Sequence, residues 1–240
     1  MEEKISGIVI NSINYGEKDK ILTIFSLEKG TICAKIKGVL KAGAKLKFAC
    51  EPFCFCEYVI VSKAKHNTVI SAFLIDSFYP IRENLYKLYS AYSSIEFVKK
   101  FFKEGISDKE MFVLLTNLLK DLAYKNQDVL SNYVRFLLKS LEKVGYALCL
   151  EGCKKCGCED IKRTFFEAEE GSFYCQNCTN GNGIEMDSKT FYYLKKVEEG
   201  QNFSDELMKK PIKLLRYYLQ TISGEKFKAL DSLIEILNLM

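Results

Sequence analysis

The spacing of apolar residues changes once along this sequence, near Pro80, and that change limits the architectures open to the chain. Upstream, short runs are apolar or alternate between apolar and polar residues, as strands do, and Gly, Asn and Lys-rich turns separate them. The five candidate strands are residues 5–10, 20–26, 31–37, 54–61 and 68–75. Five short strands in so brief a segment predict a small closed barrel.

Beyond that point the apolar residues recur every three or four positions, which lines one face of a helix and predicts a bundle core. One helix is expected over residues 85–102. A second opens with a capping box of Ser107 and Glu110, and a third ends near Gly145. The remaining helical stretches are residues 188–197 and 204–239, the latter interrupted near Pro211 and Gly224.

Composition is ordinary for a globular protein, since 48% of residues are hydrophobic and 28% are charged. No apolar run approaches the length that spans a bilayer, and the first residues lack the basic and apolar stretches of a secretory signal. We therefore expect a cytoplasmic protein that does not engage a membrane. The formal net charge of +4 does not identify a partner.

Two C-x-x-C pairs carry the strongest chemical signal. Cys153 and Cys156 form the first pair, Cys175 and Cys178 the second, and 18 residues separate them. Two facing knuckles supply four thiolates for a tetrahedral metal site, with one structural zinc ion as the default and no open position for a substrate. Such a site would pin a loop between helices. The alternatives are an iron–sulfur cluster, whose usual spacings differ, unligated thiols, and a redox pair.

The other cysteines and the single histidine are assigned to structure. Cys149 and Cys158 lie near the knuckles but complete no second C-x-x-C pair, so we leave them outside the site. His66 stands in a polar turn, where a solvent-exposed imidazole is expected. The barrel cysteines are interpreted as small buried hydrophobes; they are Cys33, Cys50, Cys54 and Cys56.

A basic segment lies between Glu28 and Glu51, which encloses six lysines and no acidic residue. Alternation in the strand over 31–37 turns Ile32, Ala34 and Ile36 inward and leaves the lysines facing solvent. Lysines on a strand and an adjoining glycine-containing loop suit a phosphate backbone. The predicted DNA-binding residues are Lys35, Lys37, Lys41, Lys45 and Lys47.

Small barrels of the OB type bind nucleic acid on one sheet face, with basic groups along the backbone and aromatic rings stacked on bases. Candidate stacking residues are Tyr15, Phe48, Phe53 and Tyr58, each of which is equally suited to a core. The patterns together predict an α+β, multidomain protein. Residues 1–79 form a five-stranded, OB-type, nucleic-acid-binding β-barrel, and residues 80–240 form an all-α domain with a zinc ribbon-like insertion at about 149–182.

The order of these features resembles the RecO family of DNA repair proteins. Residues 15–20, followed by an apolar strand and residues 28–30, look like that family's opening hairpin, and residues 38–47 resemble its basic loop. Residues 141–148, leading into residues 153–157, resemble the family's helix end and first zinc knuckle. Before the second knuckle this chain has one glycine, Gly171, where the family pattern has a pair.

The resemblance implies a recombination mediator that binds single- and double-stranded DNA, anneals complementary strands and helps place RecA on strands coated by single-strand-binding protein. It implies a nucleoid-associated location and two direct partners, RecR and the acidic tail of single-strand-binding protein. Basic residues suited to such a tail are Lys209, Lys210, Lys213 and Arg216, or Arg135 and Lys139.

Three functions remain open on the residues themselves. A mediator needs no catalysis, and the sequence has no phosphate-cradling G-x-x-x-x-G-K motif. A zinc- or carboxylate-dependent nuclease is disfavoured by closed four-sulfur ligation. A zinc-containing adaptor that binds proteins and not DNA is the alternative to the mediator.

Overall fold

The computed structural model describes residues 2–63, 66–159, 163–181 and 183–239. Its contacts divide the chain into two compact units. Unit 1 comprises Met1–Ile81 and Ile95–Ala123, and unit 2 comprises Arg82–Ser94 and Tyr124–Met240. The domain boundary predicted near Pro80 stays a prediction.

Unit 1 contains the predicted closed five-stranded barrel. The strands follow the order β1-β2-β3-β5-β4, with β4 returning to β1, and every neighbouring pair is antiparallel except β3 with β5. This is the Greek-key closure of an OB-type barrel, which confirms the predicted fold class. The strands are β1 (Glu2–Tyr15), β2 (Asp19–Ser26), β3 (Gly30–Ile36), β4 (Phe55–Lys63) and β5 (His66–Asp76).

Strand β1 is longer than the six residues predicted, because polar residues at both ends also pair. Its first part, from Glu2 to Ile8, pairs with β4, and its later part, from Gly7 to Tyr15, pairs with β2. A β-bulge between Val9 and Asn11 bends the strand as it passes from one neighbour to the other.

Alternating residues of all five strands fill the barrel. Ile32, Ala34 and Ile36 point inward as predicted, each at most 5% exposed. The hydroxyl of buried Tyr58 donates to the Ala49 carbonyl at 2.9 Å, so its polar atom is satisfied inside the core. Ala49 belongs to a short 3₁₀ helix, Lys47–Cys50, that follows the basic loop.

The rest of unit 1 packs on the outside of the barrel through aromatic rings. It contains the second half of α1 (Leu85–Phe101) and nearly all of α2 (Lys109–Tyr124). The Phe112 ring lies 5.9 Å from that of Phe25 and 5.7 Å from that of Phe55, measured between centroids.

The predicted capping box at the start of α2 is wrong. Asp108, not Ser107, accepts a side-chain hydrogen bond from the Met111 amide, at 2.9 Å. A carboxylate at the N-cap also suits the positive end of the helix, which explains why it displaces the serine.

In its described residues, unit 2 holds the helices α3 to α6, of which α3 packs against α4 and α5. Pro211 lies inside α5 and does not interrupt it, contrary to our expectation, because burial of Met208, Ile212 and Leu215 offsets the missing hydrogen bond. Gly224 ends α5 in the left-handed conformation, as predicted. The helices are α3 (Val129–Lys143), α4 (Ser188–Glu198), α5 (Asp205–Ser223) and α6 (Lys228–Leu239), and the first half of α1 joins them.

A three-stranded sheet lies within and just after the insertion predicted at about 149–182, for which no individual strands were predicted. Its strands are β6 (Arg163–Glu167), β7 (Ser172–Cys175) and β8 (Ile184–Asp187), in the order β7-β6-β8. Strands of four and five residues carry too little alternation to be recognised in a sequence.

Gly30 lies against a neighbouring backbone segment, and this yields a stability prediction. Its φ is +65°, and a Cβ there would lie 1.9 Å from the Ile106 carbonyl oxygen. Gly16 is a matched control, since its φ is +64° and a Cβ would meet nothing within 4 Å.

We expect Gly16→Ala to lower the free energy of unfolding by about 1 kcal/mol, the cost of a side chain at positive φ. Gly30→Ala adds a backbone clash and should lower it by roughly 3 kcal/mol or more. Urea titration of both variants measures the difference. Equal reductions would show that the close approach to Ile106 does not matter.

Candidate metal centre and nucleic-acid interface

The first knuckle is a tight turn between α3 and β6. The Gly157 amide donates to the Cys153 carbonyl at 2.8 Å, and the Cys153 amide donates to the Cys158 carbonyl at 2.9 Å. Gly152 allows the returning chain to come close, because a Cβ at that position would lie 2.9 Å from the Cys158 carbonyl oxygen. The turn therefore holds Cys153 and Cys156 at one end of the small sheet.

The second knuckle begins at the last residue of β7. Cys175 is paired with Thr164 of β6, and the Cys178 amide donates a hydrogen bond to the Cys175 carbonyl at 3.0 Å. The hairpin that leads into it needs only one glycine. Gly171 adopts φ +60°, and a Cβ there would lie 2.6 Å from the Tyr218 hydroxyl.

The two knuckles bring the four predicted sulfur atoms together, all within 4.8 Å of one another. Cys153 and Cys175 are buried, Cys178 is half-buried and Cys156 is exposed. Four soft sulfur donors at these separations fit a tetrahedral metal ion of the structural kind. Residues Cys149 and Cys158 are not members of this group.

Backbone amides prepare the site for negative charge. Burial raises the pKa of the Cys153 thiol, but hydrogen bonds from the amides of Cys175, Cys156 and Lys155 outweigh burial and lower that pKa to about 6. The Cys175 amide lies 3.4 Å from the Cys153 sulfur. At the opposite side, hydrogen bonds with Cys175 and Cys156 raise the pKa of Cys178 to about 12. A cation bound among the sulfurs would offset the repulsion between neighbouring thiolates and so favour the charged form of all four.

The cysteines of the barrel take no part in this cluster. Cys50, Cys54 and Cys56 are buried core residues as interpreted, with the sulfurs of Cys54 and Cys56 3.6 Å apart. Cys33 departs from that interpretation, because it lies on the outward face of β3 and is exposed. Side chains alternate between the two faces of a strand, so Cys33 points to the same outward side as Lys35 and away from the side of Ile32.

A shallow groove lies on the outer surface of the barrel, lined mainly by β3 and β5 with single residues of β1 and β2. It includes part of the β2–β3 face, on which OB-type barrels bind nucleic acids. Its volume is about 420 Å³. Its rim includes an exposed ring, Tyr15, and the imidazole of His66, which is exposed as expected. The remaining lining residues are Ile21, Cys33, Ala34, Lys35, Asn67, Thr68 and Glu104.

The five predicted DNA-binding lysines lie on this face or on the loop that leaves it. Lys37 is exposed at the end of β3, and Lys35 is half-buried on the same face. The Lys35 ammonium is 2.8 Å from the Asp19 carboxylate and 4.5 Å from the centroid of the Tyr15 ring. Exposed lysines on the following loop and its 3₁₀ helix are Lys41, Lys45 and Lys47.

Two of the four candidate stacking rings are unavailable. Phe53 and Tyr58 are fully buried in the barrel unit, so of the two roles left open for them, stacking and core, both have the core role. Tyr15 and Phe48 are exposed. The sequence did not reveal that Asp19 and Glu104 belong to this face. Both are distant from β3 along the chain, and only the fold brings their carboxylates next to it.

The basic residues considered for an acidic tail are in different settings. The Arg135 guanidinium donates hydrogen bonds to the carbonyls of Val197 and Gln201, at 3.1 and 2.8 Å, whereas Lys139 is exposed. Lys209, Lys210 and Lys213 line a cavity of about 360 Å³ with Leu207 and Tyr193. Lys209 and Lys210 pair with Glu206 and Asp187, and Arg216 with Asp231.

Two family models match the chain. "Recombination protein O N terminal" covers residues 1–78, and "Recombination protein O C terminal" covers residues 82–231. The chain belongs to the RecO family. This confirms the resemblance drawn from the hairpin, the basic loop and the first knuckle. In the described part of the chain, no helix has both the length and the apolar content of a membrane span.

Curated relatives carry the name DNA repair protein RecO. The protein of Exiguobacterium sp. is 28% identical over 247 residues, covering 98% of each chain. That of Acetivibrio thermocellus is 33% identical over 175 residues, which cover 73% of this chain and 70% of the relative. That of Caldicellulosiruptor bescii is 32% identical over 186 residues, covering 77% and 75%.

The sulfur cluster predicts one bound metal ion per chain, which elemental analysis of the purified protein measures. Cys175→Ser should abolish the bound metal, because the buried position of this ligand leaves no room for solvent to replace it. Cys33→Ser, which removes an exposed thiol of the barrel, should keep it. Metal retained by the first variant or absent from the second would contradict the assignment.

Proposed function

We propose that this chain is a recombination mediator in DNA repair, which binds single- and double-stranded DNA and anneals complementary strands without catalysing a reaction. The observation that carries the proposal is the groove across β3 and β5 of an OB-type barrel, which is lined by Lys35 and the exposed ring of Tyr15 and is followed by a loop of exposed lysines. The names of the relatives support a role in DNA repair. The protein would act in the cytoplasm, at the nucleoid.

Annealing needs no reaction chemistry of the protein. Two strands repel each other through their phosphates, and lysines that displace counterions reduce that repulsion. The loop between β3 and the 3₁₀ helix presents Lys41 and Lys45 to solvent, where they would contact phosphates while Tyr15 contacts an unpaired base. Contacts of this kind carry affinity without sequence preference, as a general annealing protein requires.

The metal is proposed to be a single zinc ion. Cys153, Cys156, Cys175 and Cys178 would hold it, and four protein sulfurs leave no coordination position for a substrate. When bound, the ion would fix the knuckles relative to the small sheet. Its contribution would therefore be to stability and not to reaction chemistry.

The proposed partners follow from the family. RecR and the acidic tail of single-strand-binding protein would bind directly, and RecA would benefit through loading on coated strands. The cavity lined by Leu207, Tyr193 and Lys213 supports binding of an acidic tail with an apolar end, since it combines apolar surface with lysines. Among the described residues, Lys213 has no ion-pair partner, so its charge is available.

One observation favours the second candidate, a zinc-containing adaptor that binds proteins and not DNA. Strand β5 exposes Ile70, Phe73 and Ile75, each about half accessible to solvent. Neighbouring exposed apolar side chains are typical of protein-binding surfaces. The two candidates differ in whether the barrel lysines bind DNA.

Reversing the charge of the lysines tests the DNA site. The variant Lys35→Glu, Lys37→Glu, Lys41→Glu, Lys45→Glu should bind a fluorescent single strand weakly. The slope of its log K against log salt should flatten by roughly 0.7 for each phosphate that is no longer neutralised. The same reversal at Lys99, Lys109, Lys120 and Lys125, exposed lysines on or directly after α1 and α2, is the matched control. Equal affinities of the two variants, both folded, would refute the site.

Annealing of coated strands tests the function itself. We expect the protein to accelerate pairing of complementary strands precoated with single-strand-binding protein, without ATP. Removal of the acidic tail from the coating protein should reduce the acceleration. DNA binding without annealing would contradict the mediator role, and absence of both would favour the adaptor.

A further inference from the structure

One of the five barrel lysines is neutralised within the barrel itself. Asp19 opens β2, and its Oδ2 lies 2.8 Å from the Lys35 ammonium on β3, with side chains 23% and 33% exposed. Among the described residues, Lys37, Lys41, Lys45 and Lys47 make no ion pair. Lys35 is therefore the member of the set whose charge is already compensated.

The same lysine covers an aromatic ring. Its ammonium lies 4.5 Å from the centroid of Tyr15, over the ring face, and this tyrosine borders the groove. A base stacks on the face of an aromatic ring, so that ring face is not accessible while Lys35 remains over it. The ion pair and the covered ring are thus two consequences of one lysine conformation.

Asp19 is anchored independently of the lysine. Its Oδ1 accepts a hydrogen bond of 2.8 Å from the amide of Gly38, the strand-side end of the basic loop. Hydrogen bonds from Lys35 and from the Gly38 amide lower the pKa of Asp19, so the carboxylate is charged at neutral pH. The carboxylate stays in place when Lys35 moves.

We infer that Asp19 competes with DNA phosphate for Lys35, and that a single strand binds by drawing Lys35 away from Asp19 and uncovering Tyr15 for an unpaired base. The inference rests on the proposed function and names the residue that limits affinity at that site. Both side chains of this pair keep contact with solvent, and ion pairs at a protein surface are weak, so a strand that offers both a phosphate and a base can replace it. Duplex DNA offers the phosphate but no unpaired base.

The test measures binding of a fluorescent single strand across a salt series by Asp19→Asn, alone and in a Lys35→Ala background. Asparagine keeps an oxygen for the Gly38 amide and removes the charge. With Lys35 present, we expect a several-fold lower Kd and a slope of log K against log salt steeper by roughly 0.7, since one more lysine can neutralise a phosphate. With Lys35 absent, the slope should not change.

Glu57→Gln is the matched control, because it breaks another exposed ion pair of the barrel, with Lys4 at 3.0 Å. It should leave Kd and slope unchanged. The gain from Asp19→Asn should be larger for the single strand than for a duplex of the same length.

An unchanged slope in folded Asp19→Asn would overturn the inference. An equal steepening with and without Lys35 would also overturn it, because Asp19 would then act as a plain repulsive charge. Failure of the wild-type protein to bind DNA at all would instead remove the proposed function, and this inference with it.

A second measurement uses the wild-type protein and does not depend on the variant folding correctly. The ring current of Tyr15 should shift the NMR signals of the Lys35 ε-methylene away from those of other lysines. Addition of a saturating oligonucleotide should return these signals to the ordinary lysine position. Persistence of the shift at saturation would show that Lys35 stays on the ring, contrary to the inference.

Discussion

The barrel depends on one long, bent strand. β1 pairs with β4 through its first part and with β2 through its later part, and the bulge at Val9 and Asn11 lets it change direction between them. This dual pairing closes the sheet, so β1 leaves no free edge on that side for another chain to join. The groove lies on the outer surface of the closed barrel, mainly across the neighbouring strands β3 and β5.

The small sheet of unit 2 is stabilised in a different way. Its strands are too short to form a core of their own, and their aromatic side chains pack against two helices. Between ring centroids, Phe173 lies 5.0 Å from Phe191 of α4, and Phe166 lies 5.5 Å from Tyr218 of α5. These contacts position β6 and β7, whereas the knuckles are turns held by backbone hydrogen bonds. A metal ion suits these turns because it would link the two knuckles through their four sulfurs.

The candidate DNA face shows how little net charge says about binding. A formal net charge of +4 is weak, yet the segment between Glu28 and Glu51 concentrates six lysines without an acid. The fold then adds carboxylates from distant parts of the sequence to this basic segment. Asp19 from β2 and Glu104 from the segment after α1 reach this face, where the Cys33 amide donates to Glu104 at 3.4 Å. The surface is therefore a balance of lysines and carboxylates, not a uniformly basic patch.

The sequence by itself determined the parts governed by local periodicity and spacing. Alternation such as Ile32, Ala34 and Ile36 identified the strands and the direction of their side chains, and the two C-x-x-C pairs identified the four sulfurs that come together. Only the tertiary structure decided contacts between residues far apart in the chain. These include the ion pair of Asp19 with Lys35 and the burial of Phe53 and Tyr58. Local sequence fixes which way a side chain leaves its strand, but strand pairing decides what lies opposite it.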